Sequence, residues 1–445
     1  MMRMELPEDA RRLQEEFRHN GDFRLEPYQI RGRNFIVCYF VTLIDVAQTN
    51  QAIHAYADQG QEDSATLADQ LNVRYVPAYE ELADAIAEGK MACFELGASE
   101  WIVFDPFSNN LNRAISTPQN ENSLQSPTQG FIENFQTNLG LLRAQMKSRH
   151  LSIQTYQMGK TTLKKIAVCS KAGAVNSKLV ESICACLELH QNRNVNNMQQ
   201  LLQVLGQKKF SFIPATLTTE LPAEAEAHLN NGKAVLFLEG FPFAIIMPTL
   251  ITDIWSLKAD YNLPYVFMLF TRSLRLVGFL IGVVAPGMYV ALVSINPEVL
   301  RIQLALSIAQ SREGVPYPAL IEVLFMLVIL EMIVEASVRL PKSIGPTITM
   351  VGGVILGEAI VQAKLVSNLL IIVLAATTIA NFTLNGVQNA LFVRICKYGI
   401  LLAAAIYGIV GLSAAVTALC IYLAQIQSFG TPYLSVHLKK GSRDD

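Results

Sequence analysis

The sequence predicts a chain in two parts: an α/β soluble N-terminal region of two tandem small subdomains, followed by an α-helical polytopic membrane domain. Three observations predict it. Charge is unevenly placed: residues 1–263 hold 23 Lys/Arg and 29 Asp/Glu, whereas residues 264–445 hold 12 and 8. The second part carries uncharged stretches near the about 20 residues an apolar helix needs to cross a bilayer. The first part repeats one pattern of helix, Gly-Lys, strand, Gly turn and strand. The overall charged fraction of 16%, against about 25% in soluble proteins, excludes a single soluble domain, a disordered chain and a disulfide-rich secreted module. A net charge of −2 with no basic stripe argues against nucleic-acid binding.

Residues 1–27 read as a charged tail without a cleavable signal peptide. Residues 28–128 form the first α/β subdomain, with strands at Asn34–Val41, Met91–Leu96 and Trp101–Phe104 and helices at Asp45–Ala57 and Glu80–Glu88. Residues 129–263 hold a bridging helix and the second subdomain. Its strands are Lys165–Cys169, Ala234–Leu238 and Phe243–Met247, and its helices Asn176–Leu189 and Ala223–Asn230. LADAIAEGKMACFELG, ending at Gly97, lies over EAEAHLNNGKAVLFLEG, ending at Gly240, and Val37-Cys38 matches Val168-Cys169. This reads as an internal duplication; chance similarity between two βα units is the alternative. The Asn/Ser/Gln/Pro-rich stretch Asn109–Pro127 is a linking loop. Phe131, Phe135, Leu139 and Leu142 recur at helical spacing, so the segment after the loop is an amphipathic helix bridging the subdomains.

Residues 264–430 form the transmembrane domain. Four full spans are expected, at Leu276–Pro297, Pro318–Val338, Leu365–Leu384 and Tyr398–Leu423, with a Gly-rich short or re-entrant segment at 343–360. With four crossings and the N-terminal part in the cytosol, eight basic residues lie inside against four outside; a fifth crossing would make it six against six. The positive-inside rule therefore favours both termini in the cytosol, residues 431–445 being a cytosolic tail. The second span holds Glu322, Glu331 and Glu335. Glu331 and Glu335 share a helix face, and acids at membrane depth cost on the order of 2.5–3.5 kcal/mol each. They read either as the lining of a cation pathway or as partners in ion pairs with Arg339, Arg272 or Arg275, with Glu322 at the interface. Gly278 with Gly282, and Gly353 with Gly357, have the spacing of close helix packing.

The chemistry of an enzyme is missing. Gly159-Lys160-Thr161-Thr162 lacks the upstream glycine of a phosphate-binding loop, position 154 being Gln. The six histidines have no metal-ligand spacing. The seven cysteines are odd in number and scattered, which suits reduced thiols. No cofactor is expected.

The join between the halves, FLEGFPFAIIMPTLITDIWSLKADYNLPYVFMLFTRSLRLVGFLIG, is followed by SREGVPYPALIE (Ser311–Glu322), RLPKSIG (Arg339–Gly345) and a Gly-rich run from Gly352 to Ser367. In these stretches the chain resembles the A subunits of the GerA family of spore germinant receptors, over about residues 30 to 435. The resemblance implies a multi-pass protein of the spore inner membrane. It implies a homo-oligomeric cation-channel component that triggers germination with a transporter-like B subunit and a lipoprotein C subunit. An accessory paralogue that amplifies the signal with other membrane partners is the alternative, and a secondary transporter a further one. Glu239-Gly240-Phe241-Pro242-Phe243 stands where the family reads Asp-Gly-Ser-Pro-Phe, and Ser126, Thr128 and Gln129 replace Gly, Arg and Glu. Where the resemblance is tightest, Arg312, Glu313, Gly314, Pro316 and Pro318 are expected to form a fixed turn, pinned by Arg312 to a carboxylate, that serves assembly or gating.

Overall fold

The computed structural model describes residues 6–30, 33–58, 72–96, 98, 100–109, 129–207, 216–339, 353, 357–384 and 387–435. The first subdomain runs α1 (Glu8–Glu16), β1 (Phe23–Ile30), β2 (Arg33–Phe40), α2 (Val46–Asp58), β3 (Arg74–Val76), α3 (Tyr79–Ala87), β4 (Met91–Glu95) and β5 (Trp101–Phe104). Then come the bridging helix α4 (Phe135–Met146), β6 (Leu151–Met158), β7 (Lys164–Lys171), α5 (Ser177–Leu189), α6 (Met198–Val204), β8 (Leu217–Thr219), α7 (Pro222–Asn230), β9 (Ala234–Leu238) and β10 (Ala244–Met247).

The two five-stranded sheets have the same strand order. The first is β1-β2-β4-β5-β3 and the second β6-β7-β9-β10-β8, antiparallel at every pairing. Register matches as well: Cys38 lies opposite Ala92, and Cys169 opposite Val235, two residues after Lys90 and Lys233 in their own copies. The shared Gly-Lys turn has one backbone reason. Gly89 and Gly232 sit at φ +100° and +80°, where a side chain is strained, and a Cβ on Gly232 would meet the Ala174 carbonyl at 2.6 Å.

The charged N-terminal stretch is not a tail. Ala10, Leu13 and Phe17 are buried in the first core, because α1 concentrates its apolar residues on one face while its charges face water. Four strands escape the sequence reading (β1, β3, β6 and β8) because each is short or carries polar residues on an edge. The bridging helix is capped by Asn134, whose side chain accepts the N–H groups of Gln136 and Thr137. Phe131 lies ahead of it, buried against Phe237 with the rings 4.9 Å apart. Phe135, Leu139 and Leu142 pack into the second subdomain.

Beyond the sheets, α8 (Tyr265–Val290) continues as a π-turn over Ala291–Ile295. There follow α9 (Ile302–Ser311), which the sequence reading left as loop, α10 (Ala319–Arg339), α11 (Asn368–Phe382) and α12 (Val387–Gln425). Among the described residues, two helical stretches are long and apolar enough to cross a membrane, Tyr265–Ile295 and Gln388–Gln425. The expected span Leu365–Leu384 is the shorter α11, which begins only after its cap at Ser367. Most of the Gly-rich segment 343–360 lies outside the described residues. Gly278 and Gly282 sit where a Cβ would meet Thr383 Oγ1 at 2.5 Å and Asn381 Oδ1 at 2.7 Å, so α8 and the end of α11 approach closely. At Gly353 and Gly357 a Cβ meets nothing within 4 Å among the described residues.

The expected single span Tyr398–Leu423 is corrected: α12 is a hairpin. Gly408 has φ +64° and ψ −140°, outside helical geometry. A Cβ on Gly411 would collide with the Ala403 carbonyl, although a straight helix would hold those residues about 12 Å apart. Both ends return to the soluble region. Gln388 Nε2 lies 3.9 Å from Met198 Sδ, and the Ile251 N–H donates to the Tyr433 carbonyl at 2.9 Å. A straight helix of this length would separate its ends by about 58 Å. Phe392, Cys396, Ile400 and Ala404 on one arm share a core with Leu412, Val416, Leu419 and Leu423 on the other, at mirrored spacing. The run lacks charge after Lys397, so only its glycines mark the reversal, and glycine is common in apolar helices.

Candidate functional site

Among the described residues, Glu322 and Glu331 are the carboxylates that tie helices of the layer to one another. At the end away from the sheets, Glu322 sits in the first turn of α10 at 0% exposure. One oxygen accepts the Ser367 N–H at 2.6 Å, which holds the start of α11. The other faces Arg312 Nε at 3.4 Å. Ser367 Oγ accepts from the Leu370 N–H and lies 2.9 Å from the Tyr289 hydroxyl of α8. One carboxylate therefore joins α8, the end of α9, α10 and α11. A buried charge is tolerated only when paired and hydrogen-bonded, and this one is both.

The SREGVPYP segment is the clasp. Arg312 also donates from Nη2 to the Tyr317 carbonyl at 3.0 Å, closing the turn that Pro316 and Pro318 lead into α10. Gly314 has φ +87°, and the Lys364 side chain lies across it, so a Cβ would meet Lys364 Cδ at 2.8 Å. Glu313 is exposed and lines a polar cavity of about 290 Å³ with Gln310, Ser311, Lys364 and Asn368.

Midway along the helices, Glu331 accepts from Lys397 Nζ at 2.7 Å and faces Arg394 Nη1 at 3.4 Å, both on the first arm of α12. The Lys397 side chain is 4% exposed. Glu335 shares the helix face of Glu331 but not its partners. It pairs with Arg339 at 2.6 Å, and both side chains are exposed. Arg272 and Arg275 do not reach the acids of α10: they hold Asp260, Arg275 with two bonds of 2.7 and 2.8 Å. Burial would raise the Asp260 carboxyl, but the hydrogen bonds from Arg275, the Leu257 N–H and Arg272 hold it below its ordinary value.

The sheets have a second buried pair. Lys233, of the repeated Gly-Lys turn, donates to both oxygens of Asp253 at 2.7 and 2.6 Å. Burial pushes the Lys233 ammonium down, and Asp253 opposes that shift. Its counterpart Lys90 lies only 3.9 Å from the exposed Asp105. Burial pushes the Cys38 and Cys169 thiols up, and that of Cys93 up to about 12, so these are packing thiols rather than nucleophiles. Among the described residues no cluster of His, Cys, Asp or Glu could hold a metal. Sequence reasoning missed Ser367, Tyr289, Arg394, Lys397 and Asp260. The signal for Arg394 and Lys397 was present, since they are the cations inside the last apolar run.

Fold and networks together define a class: a duplicated α/β unit joined to an apolar helical layer with acids bridged in its interior. A family profile described as Bacillus/Clostridium GerA spore germination protein matches residues 11–444. Spore germination protein B1 of Bacillus subtilis (strain 168) is 33% identical over 81% of this chain and 74% of its own length. Spore germination protein GerLA of Bacillus cereus is 36% identical over 72% of this chain and 65% of its own. The chain belongs to the GerA family of spore germination proteins. Among solved structures, the N-terminal domain of the A subunit of the Bacillus megaterium spore germinant receptor GerK3 aligns with 54% of this chain and 93% of that one, at 18% identity and a TM-score of 0.39.

Proposed function

We propose that this chain is the A subunit of a spore nutrient germinant receptor: a multi-pass protein of the spore inner membrane, not an enzyme, that senses and conducts. In this reading it assembles with copies of itself, with a transporter-like B subunit and with a lipoprotein C subunit. The observation that carries the reading is the Glu331–Lys397–Arg394 cluster inside the apolar layer, because ionisable groups at membrane depth are retained for function. α10 buries Ala319, Val323, Met326 and Leu327 near its start, whereas Met332 beyond is exposed. Its second half therefore holds to α12 through Glu331. Parting that pair frees the half-helix, the kind of two-state element that a gate requires. A ring of bare acids would attract cations; here Lys397 and Arg394 neutralise Glu331, which favours a bridge that keeps the path shut.

The placement of the ends supports one orientation. The segment after α12 lies against the soluble region through Tyr433 and Ile251, so both ends belong on one side of the membrane, taken here as the cytosolic side. Spores lacking this chain test the reading. Loss of the response to one nutrient, with others intact, is expected. Slowing with every nutrient would mark the accessory amplifier instead, and unchanged germination with all nutrients would overturn both.

A further inference from the structure

We infer that α9 (Ile302–Ser311) lies in the plane of the membrane surface opposite the soluble domain, with its Ile302–Leu306–Ala309 edge in contact with lipid. The inference rests on the membrane reading above and adds a lipid-binding element to it. Both ends of α9 are held at that surface. Before it, Asn296 closes the π-turn of α8 and accepts the Ile409 N–H at the tip of the α12 hairpin, at 3.0 Å. After it, Arg312 is tied to Glu322 beside Ser367 and Tyr289. Its anchors, Asn296 and Tyr289, are about 10 Å apart along α8 and its π-turn, so a helix of 10 residues, about 15 Å long, stays within the outer end of the layer rather than crossing it.

Its side chains divide three ways at about 100° per residue. Ala305 and Ile308 are half-buried, and this side meets α11. Gln303, Ser307 and Gln310 form an exposed polar stripe. Between these lie Ile302 at 79% exposure and Leu306 at 57%, with Ala309 also exposed. Leu304, 51% exposed, sits on the border of the polar and bundle-facing sides. One side for protein, one for water and one apolar edge is what a helix needs where a bundle, water and acyl chains meet. The exposed Arg301, just before α9, suits the headgroup level, where a long cationic side chain keeps its charge in water. A second copy of this chain or another subunit would also cover an apolar edge. Lipid is favoured because the two helices that α9 joins also expose large apolar side chains, Leu280 and Ile281 on α8 and Ile321 and Phe325 on α10, so the edge belongs to an apolar surface that runs over several helices.

The test uses the full chain in liposomes of phosphatidylglycerol and phosphatidylethanolamine. A nitroxide is attached through p-acetylphenylalanine placed singly at Leu306, Gln303, Ile308 or Leu280, and its collisions with oxygen and with a water-soluble nickel chelate are measured. At Leu306 oxygen should dominate and nickel be excluded, at Gln303 the order should reverse, and at Ile308 both should be low. Leu280, exposed on α8, reports insertion and should resemble Leu306. Equal nickel access at Leu306 and Gln303 would overturn the inference in favour of water. Exclusion of both probes at Leu306 would overturn it in favour of a covering polypeptide. Nickel access at Leu280 would overturn the membrane reading itself, and this inference with it.

Discussion

Arg143 and Asp22 meet across the boundary between the two subdomains, with Nε and Nη2 of the guanidinium each 2.9 Å from one carboxylate oxygen. Arg143 comes from the bridging helix and Asp22 from the turn before β1, and both side chains are buried. Thr42 Oγ1 donates to the same carboxylate at 2.8 Å, and the guanidinium lies 3.7 Å from the centre of the Phe40 ring. Asn20 extends the joint, accepting from Arg143 and from the Ile153 N–H of β6. The joint makes the two copies of the fold one body.

That relationship predicts an asymmetric mutational result. Arg143→Met leaves Asp22 buried without its cation, and breaking such a pair costs about 3–5 kcal/mol. Asp22→Asn with Arg143→Met together should recover part of that loss, since neither charge then remains. Urea unfolding of the full chain in detergent, followed by fluorescence of the buried Trp101, reads both. Equal destabilisation by the single and double variants would refute the pairing argument.

The Glu331 bridge is tested by the same logic in the helical layer. Glu331→Gln leaves Lys397 buried and unmatched, so the amount of chain in spore membranes should fall several-fold. Adding Lys397→Met should restore it. If Glu331→Gln spores keep normal amounts but release potassium or sodium differently, Glu331 lines the pathway. Normal amounts with normal ion release would remove Glu331 from both roles.

Arg312 should tolerate little. Arg312→Ala strands Glu322 at full burial, at a cost of about 3–5 kcal/mol, and frees the start of α11. Germination and chain abundance should both drop. Arg312→Lys should recover only part, because a point charge cannot serve both Glu322 and the Tyr317 carbonyl. Wild-type germination of Arg312→Ala spores would exclude the clasp.

How much of this was legible beforehand differs between the halves. The duplication was readable because Gly89-Lys90 and Gly232-Lys233 occupy a turn whose φ only glycine accepts easily. The edge strands were not, since the polar residues of β6 break an apolar alternation. Amphipathic periodicity located the bridging helix, but nothing local marks Arg143 as buried; its partner lies 121 residues away. In the helical layer Glu331 was visible as an anomaly, while Lys397 was set aside as a loop charge because the span was expected to start after it. An ion pair inside an apolar layer moves the boundary that hydropathy would draw.

Asp260 gives a pH prediction. Its folded pKa lies below the ordinary value of 3.8, so its contribution is full above that value and is lost as pH falls through the folded pKa. Acidification below about pH 4 should loosen the join of α8 to the soluble region before neutral-pH behaviour changes. Limited proteolysis after acid exposure should show new cleavage near Lys258 and Arg272. Asp260→Asn should show it already at pH 7, with little further change on acidification; an unchanged acid response in that variant would point to another carboxylate.

The hairpin of α12 yields the last prediction. Any side chain at Gly408 must adopt a backbone region essentially reserved for glycine, costing on the order of 1–3 kcal/mol. A Cβ there would also press on Asn296 and lie 2.9 Å from Ile295 Cγ2. Gly408→Ala should therefore disrupt the reversal, while Gly399→Ala, where a Cβ meets nothing within 4 Å, should be neutral or slightly stabilising. The native Cys396 supplies the readout, since it shares a core with Leu419 of the opposite arm. In a Cys420→Ala background, Leu419→Cys should cross-link to Cys396 with a short bifunctional thiol-reactive reagent, with or without Gly399→Ala, and should lose that cross-link with Gly408→Ala. In a straight helix the two positions would stand about 35 Å apart, beyond any short linker. Failure to cross-link in this background would mean that the apolar run crosses once.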